Sequence, residues 1–204
     1  MRLVDTLAEQ ALLEQILEAS KPPLPREAQG MHYLVFTPFR YASPVASRFR
    51  GAHEPGLWYG ADDRETVCAE LAYWRWRFLV ESDGLRDGEL ITEHTFFSAE
   101  FSGRALDLMA KPWSALRSQW RDPLNYAACH GLARAVRESD PAIDAIRYES
   151  ARRESGICTA VFTPAALAIR GQGRAQVWLC KTTQRRVLLS HDAEGASFEA
   201  AGWK

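Results

Sequence analysis

The segment SRFRGAHEPGLWYGADDRETVCAEL, residues 47–71, combines three arginines, a Trp-Tyr pair before a small-residue turn, and a lone glutamate near its end. Within it, Leu57-Trp58-Tyr59 has the pattern of a buried strand. Asp62 and Glu65 can cap a helix that runs from about Arg64 to Val80. A purely structural segment does not need this mixture of basic, aromatic and acidic side chains. The segment therefore predicts a strand–turn–helix unit beside a pocket for an anionic ligand that carries a flat ring.

Glu70 lies in the first half of the predicted helix, at the margin of its apolar side. At about 100° per residue, that side carries Val67, Leu71, Trp74 and Phe78. A carboxylate at this margin is partly desolvated and needs a partner. One explanation is an ion pair with Arg48, Arg50 or another nearby arginine. The other is a carboxylate held against a sugar whose cleavage passes through an oxocarbenium-like state.

The arginines and Tyr59 suit the same kind of ligand. An arginine side chain binds two oxygens of a diphosphate at once and remains charged at all physiological pH values. Tyr59 offers a ring face for stacking and a hydroxyl for orientation. The alternative for Tyr59 is a strand residue packed in the core, and the residues by themselves leave both explanations open.

Outside this segment, helices and strands mix without strict βαβ alternation, which indicates an α+β fold in a single main domain. Thr6 and Glu9 have the spacing of a capping box and predict an amphipathic helix. A proline-rich stretch follows it, so we expect residues 1–25 to be an appended helix and linker, and residues 26–204 to be the main domain. The other predicted elements are a strand at 33–36, a hairpin of 94–101 with 104–108, a helix at 124–138, and paired strands at 177–180 and 187–190.

Composition argues against several classes of protein. A formal net charge of −1 and a pI of about 6.5 provide no basic field for nucleic acid. The four cysteines form no CxxC pair and fit reduced thiols better than disulfides or a zinc site. The five histidines lack ligand spacing, so we predict no metal. The sequence has no signal-peptide core and no apolar run that could span a bilayer, and we expect a cytoplasmic protein.

Four short motifs resemble those of the RES domain family, which is named for an arginine, a glutamate and a serine. They stand in the family's order as Ser47-Arg48-Phe49, Trp58-Tyr59-Gly60-Ala61, Thr66-Val67-Cys68-Ala69-Glu70 and Tyr148-Glu149-Ser150-Ala151-Arg152. Residues 126–136, before Ala145-Ile146-Arg147, are similar to the family's helix that leads into the serine strand. The resemblance covers roughly residues 32–189.

The resemblance has departures at three places. Ser47 replaces a glycine, Phe49 replaces a tryptophan, and the asparagine usual after the serine motif is replaced around residues 157–158. Arg40 and Arg50 are alternatives to Arg48 as the arginine of the motif.

The resemblance implies a fold similar to the ADP-ribosyltransferase toxins, which is a split antiparallel β-sheet with flanking helices and NAD bound in the cleft. It implies a toxin that consumes NAD⁺ by cleaving the nicotinamide–ribose bond, with phosphate, water or a protein side chain as acceptor. The implied partner is a cognate Xre-like helix-turn-helix antitoxin. The alternatives are a RES-fold binding module with a degraded site and, less favoured by the near-neutral charge, a ribonuclease toxin.

The resemblance also assigns roles to four residues. Arg48 would hold the diphosphate or the nicotinamide ribose, and Tyr59 would pack on the nicotinamide. Glu70 would stabilise the positive charge that grows on the ribose as nicotinamide leaves. Ser150 has no His-Asp partner evident near it in sequence, so we interpret it as a group that orients the arginine or a ribose hydroxyl and not as a nucleophile.

Overall fold

The computed structural model of the protein describes residues 4–24, 26–169 and 175–203. The α-helices are α1 (Leu7–Ser20), α2 (Tyr33–Arg40), α3 (Arg64–Glu81), α4 (Arg117–Trp120) and α5 (Ala127–Ser139). The strands are β1 (Trp58–Ala61), β2 (Leu90–Phe96), β3 (Glu100–Phe101), β4 (Ala105–Asp107), β5 (Ala145–Glu149), β6 (Ile157–Val161), β7 (Leu167–Ala168), β8 (Gln176–Thr182), β9 (Arg186–His191) and β10 (Glu194–Glu199). Short 3₁₀ helices lie at Arg26–Ala28, Trp113–Leu116, Pro164–Ala166 and Ala200–Gly202.

The strands form two four-stranded sheets and one small two-stranded sheet. The first sheet has the order β1-β6-β5-β4, the second has the order β10-β9-β8-β2, and β3 pairs with β7. The predicted pair of strands near the end of the chain is confirmed, because β8 and β9 are antiparallel neighbours. Helices and separate sheets together confirm the predicted α+β fold.

The first sheet contains one parallel pair, which the sequence did not predict. β4 runs parallel to β5, with Leu106 opposite Ile146. The predicted hairpin of 94–101 with 104–108 is therefore wrong, since β2 pairs with β8 and β3 pairs with β7. Local turn residues suggested the hairpin, but pairing with distant strands decided the sheet order.

Helix α3 lies where the two sheets meet and is in contact with β1 as well as β8, β9 and β10. Its Cys68 and Ala72 pack with Trp178, Cys180 and Leu189 of the second sheet. Helix α5 packs on the first sheet, since its Cys129 and Ala133 share a core cluster with Ile146 of β5 and Ala160 of β6. A helix held from two directions has a fixed rotation about its axis, so it can present one polar side chain in a defined place.

The buried side of α3 is shifted by about one residue from the predicted apolar stripe, so that prediction is wrong. The buried residues of the helix are Thr66, Cys68, Ala69, Ala72, Tyr73 and Leu79. Of the predicted stripe, Phe78 is 49% exposed and the other three residues are half-buried. Small residues on the buried side let the helix approach both sheets closely, and this packing outweighs the hydrophobicity of the larger side chains. The N-cap is Asp63, one residue after the predicted Asp62.

The predicted strand at 33–36 is also wrong, because these residues begin α2. The Nδ1 atom of the N-cap His32 accepts a hydrogen bond from the Leu34 backbone N–H at 3.2 Å. A run of four apolar residues does not distinguish a buried strand from a short helix. The predicted helix at 124–138 is confirmed as α5, with a start three residues later.

The predicted capping box of α1 is confirmed, with Thr6 and Glu9 bonded reciprocally. No residue of α1 is buried. The Arg40 side chain joins the linker to the main domain, because its Nε donates to the carbonyl of Pro22 at 2.6 Å. The division at residue 25 stays a prediction.

Among the described residues, no helix is both long and apolar enough to cross a membrane.

Candidate active site

Glu70 and Ser150, 80 residues apart, meet in a direct hydrogen bond. The Ser150 hydroxyl donates to Oε1 of Glu70 at 2.6 Å. Glu70 is half-buried on α3, and Ser150 follows directly after β5 with no exposed surface. In the described part of the chain, Glu70 forms no ion pair with any arginine. The partner of the partly buried Glu70 carboxylate is therefore the neutral hydroxyl of Ser150 and not an arginine. No positive charge in this contact offsets the carboxylate, so it can interact with a ligand.

A tight turn after β5 fixes the Ser150 hydroxyl. Its oxygen accepts backbone N–H groups from Arg152 and Arg153, each at 3.0 Å. A backbone hydrogen bond from the Ser150 N–H to the carbonyl of Gly156, at 2.7 Å, joins the two ends of the turn. A Cβ atom at Gly156 would stand 2.6 Å from the Thr66 hydroxyl, so glycine is required where the turn approaches the start of α3. The turn and the helix are thus packed together at the point where Glu70 and Ser150 meet.

Arg48 lies on the other side of the site, on the loop before β1. It is only 6% exposed. Its Nη1 donates to the carbonyls of Trp120 at 3.0 Å and Asp122 at 2.8 Å. Its guanidinium carbon lies 4.6 Å from the ring centroid of Tyr126, which is a cation–π contact. These contacts hold the guanidinium in one orientation.

The structure places the two alternative arginines in different surroundings. Arg50 donates to four backbone carbonyls of its own loop, those of Ser43, Val45, Gly51 and Glu54. Arg40 bonds to the linker before α2. Arg40 and Arg50 both donate to backbone carbonyls and so stabilise local chain segments. Arg48, in contrast, contacts the aromatic ring of Tyr126 close to the serine turn. The assignment of Arg48 as the ligand-binding arginine stays a prediction.

Tyr59 connects the Arg48 loop to a groove. Its hydroxyl accepts the Phe49 backbone N–H at 3.1 Å and shares a hydrogen bond with the Ser47 hydroxyl at 2.8 Å. The side chain as a whole is 37% exposed. Burial raises the pKa of its phenol above the ordinary value, so Tyr59 stays neutral at physiological pH.

The groove beside Tyr59 has a volume of about 680 Å³. Its walls are the end of β1, the first turns of α3 and the end of β2, and they include Val67, Leu71, Phe96 and Phe97. The lining also contains charged and polar side chains, among them Asp62, Arg64 and His94. Tyr59 lines the groove, whereas Arg48, Glu70 and Ser150 are not among its described lining residues, so only Tyr59 of the four predicted site residues is placed in it.

The charges of Glu70 and Arg48 both act on the core between them. Burial raises the pKa of the Cys158 thiol to about 12, and the negative charge of Glu70 adds to this effect while Arg48 opposes it. Burial likewise raises the pKa of Tyr148, with a further contribution from Glu70. A thiol with so high a pKa is protonated and inert, so Cys158 is no nucleophile in this site.

Sequence reasoning missed two residues of the site, Tyr126 and Arg152. The Arg152 side chain donates to the carbonyl of Pro123 at 2.6 Å and to the Tyr126 hydroxyl at 3.4 Å. Tyr126 thus lies between Arg48 and Arg152. Tyr126 begins the helix quoted above and Arg152 ends the serine motif, and these positions in the motifs were the sequence signal that could have identified both residues.

Among the described residues, no group of three or more His, Cys, Asp or Glu side chains could hold a metal ion.

Comparison with known families shows a match to the RES domain. The sequence model of the RES domain matches residues 23–182 of the 204-residue chain. The matched range contains all four motifs and the whole of the candidate site, while α1, β9 and β10 lie outside it. A search among curated proteins found no match.

Proposed function

The chain belongs to the RES domain family, and from this premise we propose that it is a toxin that cleaves the nicotinamide–ribose bond of NAD⁺. Membership of the family is consistent with an NAD-utilising domain related to toxin–antitoxin systems. The specific reaction, the NAD substrate and the roles of the residues are our proposal.

The observation that carries the proposal is the hydrogen bond of 2.6 Å between Ser150 and Glu70. It holds one carboxylate oxygen and leaves Oε2 without a partner in the described part of the chain. As nicotinamide leaves, positive charge develops on the ribose carbon and ring oxygen. A preorganised carboxylate in a partly dry site stabilises such a charge more than water does. Glu70 is suited to that task.

Arg48 and Tyr59 would hold the two ends of the reacting half of NAD⁺. Arg48 uses Nη1 for backbone carbonyls, and its remaining guanidinium N–H groups and its charge would hold the diphosphate or the ribose. Tyr59 would pack on the nicotinamide at the wall of the groove. Ser150 has no exposed surface, so we assign it the orientation of Glu70 and not a contact with the ligand.

Incubating the purified protein with NAD⁺ and separating the products tests the proposal. We expect the wild-type protein to release nicotinamide and the Glu70→Gln variant to lose this activity. Free ADP-ribose would identify water as the acceptor, a phosphorylated ADP-ribose would identify inorganic phosphate, and a modified protein would identify a side chain. Absence of nicotinamide with every acceptor would refute the proposal and favour a RES-fold binding module.

A cytoplasmic enzyme that depletes NAD⁺ needs an inhibitor, and we propose an Xre-like helix-turn-helix antitoxin as the cognate partner. The simplest inhibition is a partner segment that fills the cleft between the Arg48 loop and α3. Such a segment should carry carboxylates, because it would occupy the position that arginine prepares for phosphate. Co-expression with growth and NAD measurements tests this, and rescue by an antitoxin without its cleft-facing segment would contradict it.

A further inference from the structure

Two buried donors beside the candidate active site have no hydrogen-bond partner in the described part of the chain, Nε of Arg152 and the hydroxyl of Tyr73. The two side chains are nevertheless in close contact. The guanidinium carbon of Arg152 lies 3.3 Å from the centroid of the Tyr73 ring, and Tyr73 has no exposed surface. A cation on the face of a desolvated ring is attracted by the ring quadrupole. Tyr73 therefore supports the plane of the Arg152 guanidinium from inside the core, without a hydrogen bond.

Arg152 is the residue that joins the two halves of the site. Its backbone N–H bonds to the Ser150 hydroxyl, which in turn bonds to Glu70. Its side chain bonds to the hydroxyl of Tyr126, whose ring lies against Arg48. A displacement of Arg152 would therefore disturb the orientation of both Glu70 and Arg48.

The support continues beyond Tyr73 to Trp203. The rings of Tyr73 and Trp203 form an edge-to-face contact, with centroids 5.8 Å apart and an interplanar angle of 87°. Trp203 also lies 5.5 Å from Trp76, one turn further along α3. The backbone before Trp203 is fixed as well, because the N–H of Ala200 donates to the carbonyl of Arg185 at 2.8 Å. Residues 183–203 lie outside the range that the RES domain matches.

We propose that Trp203, Tyr73 and Arg152 form an aromatic buttress through which the last described segment of the chain positions the active site. Trp203 and Tyr73 are positioning residues, since in the described part of the chain neither side chain forms a hydrogen bond or a ring contact with Glu70 or Arg48. The buttress acts on whatever ligand the site binds, and its expected effect on NAD⁺ cleavage rests on the function proposed above. Its effect on the serine turn does not depend on that function.

The first test uses amide hydrogen exchange in the full chain without ligand. Trp203→Ala should accelerate exchange of the Arg152 and Arg153 amides, which donate to the Ser150 hydroxyl, by about 10-fold relative to the wild type. Trp203→Phe should restore most of the protection, because it keeps an aromatic ring against Tyr73. The control is Phe198→Ala in β10, which removes another half-buried ring from the same core cluster and has no ring contact with Tyr73 in the described structure.

The second test measures kcat and KM for NAD⁺ at a temperature where all variants are folded. Trp203→Ala should lower kcat about 3- to 10-fold, as expected for a residue coupled to the site without touching the ligand. Phe198→Ala should keep the wild-type kcat despite a similar loss of stability. Should Trp203→Ala unfold, Trp203→Leu keeps bulk without the ring contact and replaces it.

The two tests separate the two proposals. Equal exchange rates in Trp203→Ala and Phe198→Ala would overturn the buttress, whatever the enzyme activity is. A protein that shows the exchange effect but releases no nicotinamide would keep the buttress and lose the proposed function.

Discussion

The Ser150 hydroxyl has one proton, and the structure determines where that proton goes. Two backbone N–H groups occupy its oxygen as donors, so the hydroxyl itself must donate to Glu70. The carboxylate therefore has one oxygen held by a neutral donor. An arginine in the same place would have neutralised Glu70 and would have reduced its ability to stabilise a cation on the ribose.

Replacing Glu70 by glutamine tests the role of that charge. Glutamine keeps an oxygen that can accept from Ser150, so the fold should be unchanged, while the loss of charge should lower kcat for NAD⁺ at least ~100-fold. Nicotinamide release by the purified variant is the measurement. Glu65→Gln is the matched control, because it removes one negative charge from the exposed side of the same helix. Turnover near the wild-type rate in Glu70→Gln would remove Glu70 from the mechanism.

Arg48 and Arg50 have the same burial, 6% each, but different surroundings, and this difference gives a second prediction. Arg48→Lys should weaken NAD⁺ binding by about 10- to 100-fold, because lysine keeps the charge without the planar fork. Arg50→Lys should mainly lower the free energy of unfolding, since it leaves several carbonyls of the loop unpaired. Calorimetry in the Glu70→Gln background avoids turnover. Normal binding by the Arg48 variant together with impaired binding by the Arg50 variant would reverse the assignment.

At the scale of elements, the strand–turn–helix unit of residues 58–81 was predictable because its signals are local. The rotation of α3 was not predictable from its own sequence, since the two sheets that decide which side is buried are built mostly from strands that come later in the chain. The same holds for β4, whose parallel partner β5 lies about 40 residues further on. The short apolar run that begins α2 carried no periodicity that could separate helix from strand.

Gly60 in β1 illustrates how one element constrains a single residue. A Cβ atom there would stand 2.2 Å from the Trp58 ring, so Gly60→Ala should displace that ring and cost about 1–3 kcal/mol of unfolding free energy. Gly131→Ala is the matched control, because the added carbon would meet no atom within 4 Å beyond the neighbouring backbone of its own helix, among the residues that the structure describes. Alanine at this position of α5 should instead stabilise the protein by about 0.5–1 kcal/mol. Urea unfolding of both variants measures this, and equal stabilities would contradict the close approach of Trp58.

At the scale of the whole molecule, the site depends on contacts between distant parts of the chain. The order of the motifs predicted Arg48, Glu70 and Ser150 as site residues. The structure joins Glu70 to Ser150 by a hydrogen bond and places Arg48 against Tyr126, and the functional roles of these residues stay a prediction. The sequence did not predict that Ser150 bonds to Glu70 and has no exposed surface, or that the rings of Tyr126 and Tyr73 lie against the guanidinium groups of Arg48 and Arg152. These contacts arise from the packing of α3 and α5 against the sheets, and no local pattern encodes that packing.

The Arg48 loop is attached to α5 through Glu54, and this attachment predicts how stability depends on pH. Arg134 bonds to Glu54 at 2.9 Å and Arg137 bonds to it at 3.2 Å. The hydrogen bond from Arg134, followed by that from the Gly51 N–H, lowers the pKa of the Glu54 carboxyl from 4.5 to about 2. A carboxyl whose pKa is lower in the folded state stabilises the fold fully above its unfolded pKa. That stabilisation should be lost as the pH falls from about 4.5 to about 2.

Glu54→Gln should therefore remove about 1–2 kcal/mol of unfolding free energy at pH 7 and only a small part of that at pH 2.5, close to the folded-state pKa, after allowance for solvent screening of the exposed Arg134. Urea unfolding between pH 2.5 and pH 7 gives the two curves, which should converge as the pH falls. Glu81→Gln is the control, because its partner Arg77 lies one turn away on the surface of α3 and the pair should contribute little. A constant difference between wild type and Glu54→Gln at every pH would show that the ionised carboxylate does not hold the loop, and the position of Arg48 would then need another explanation.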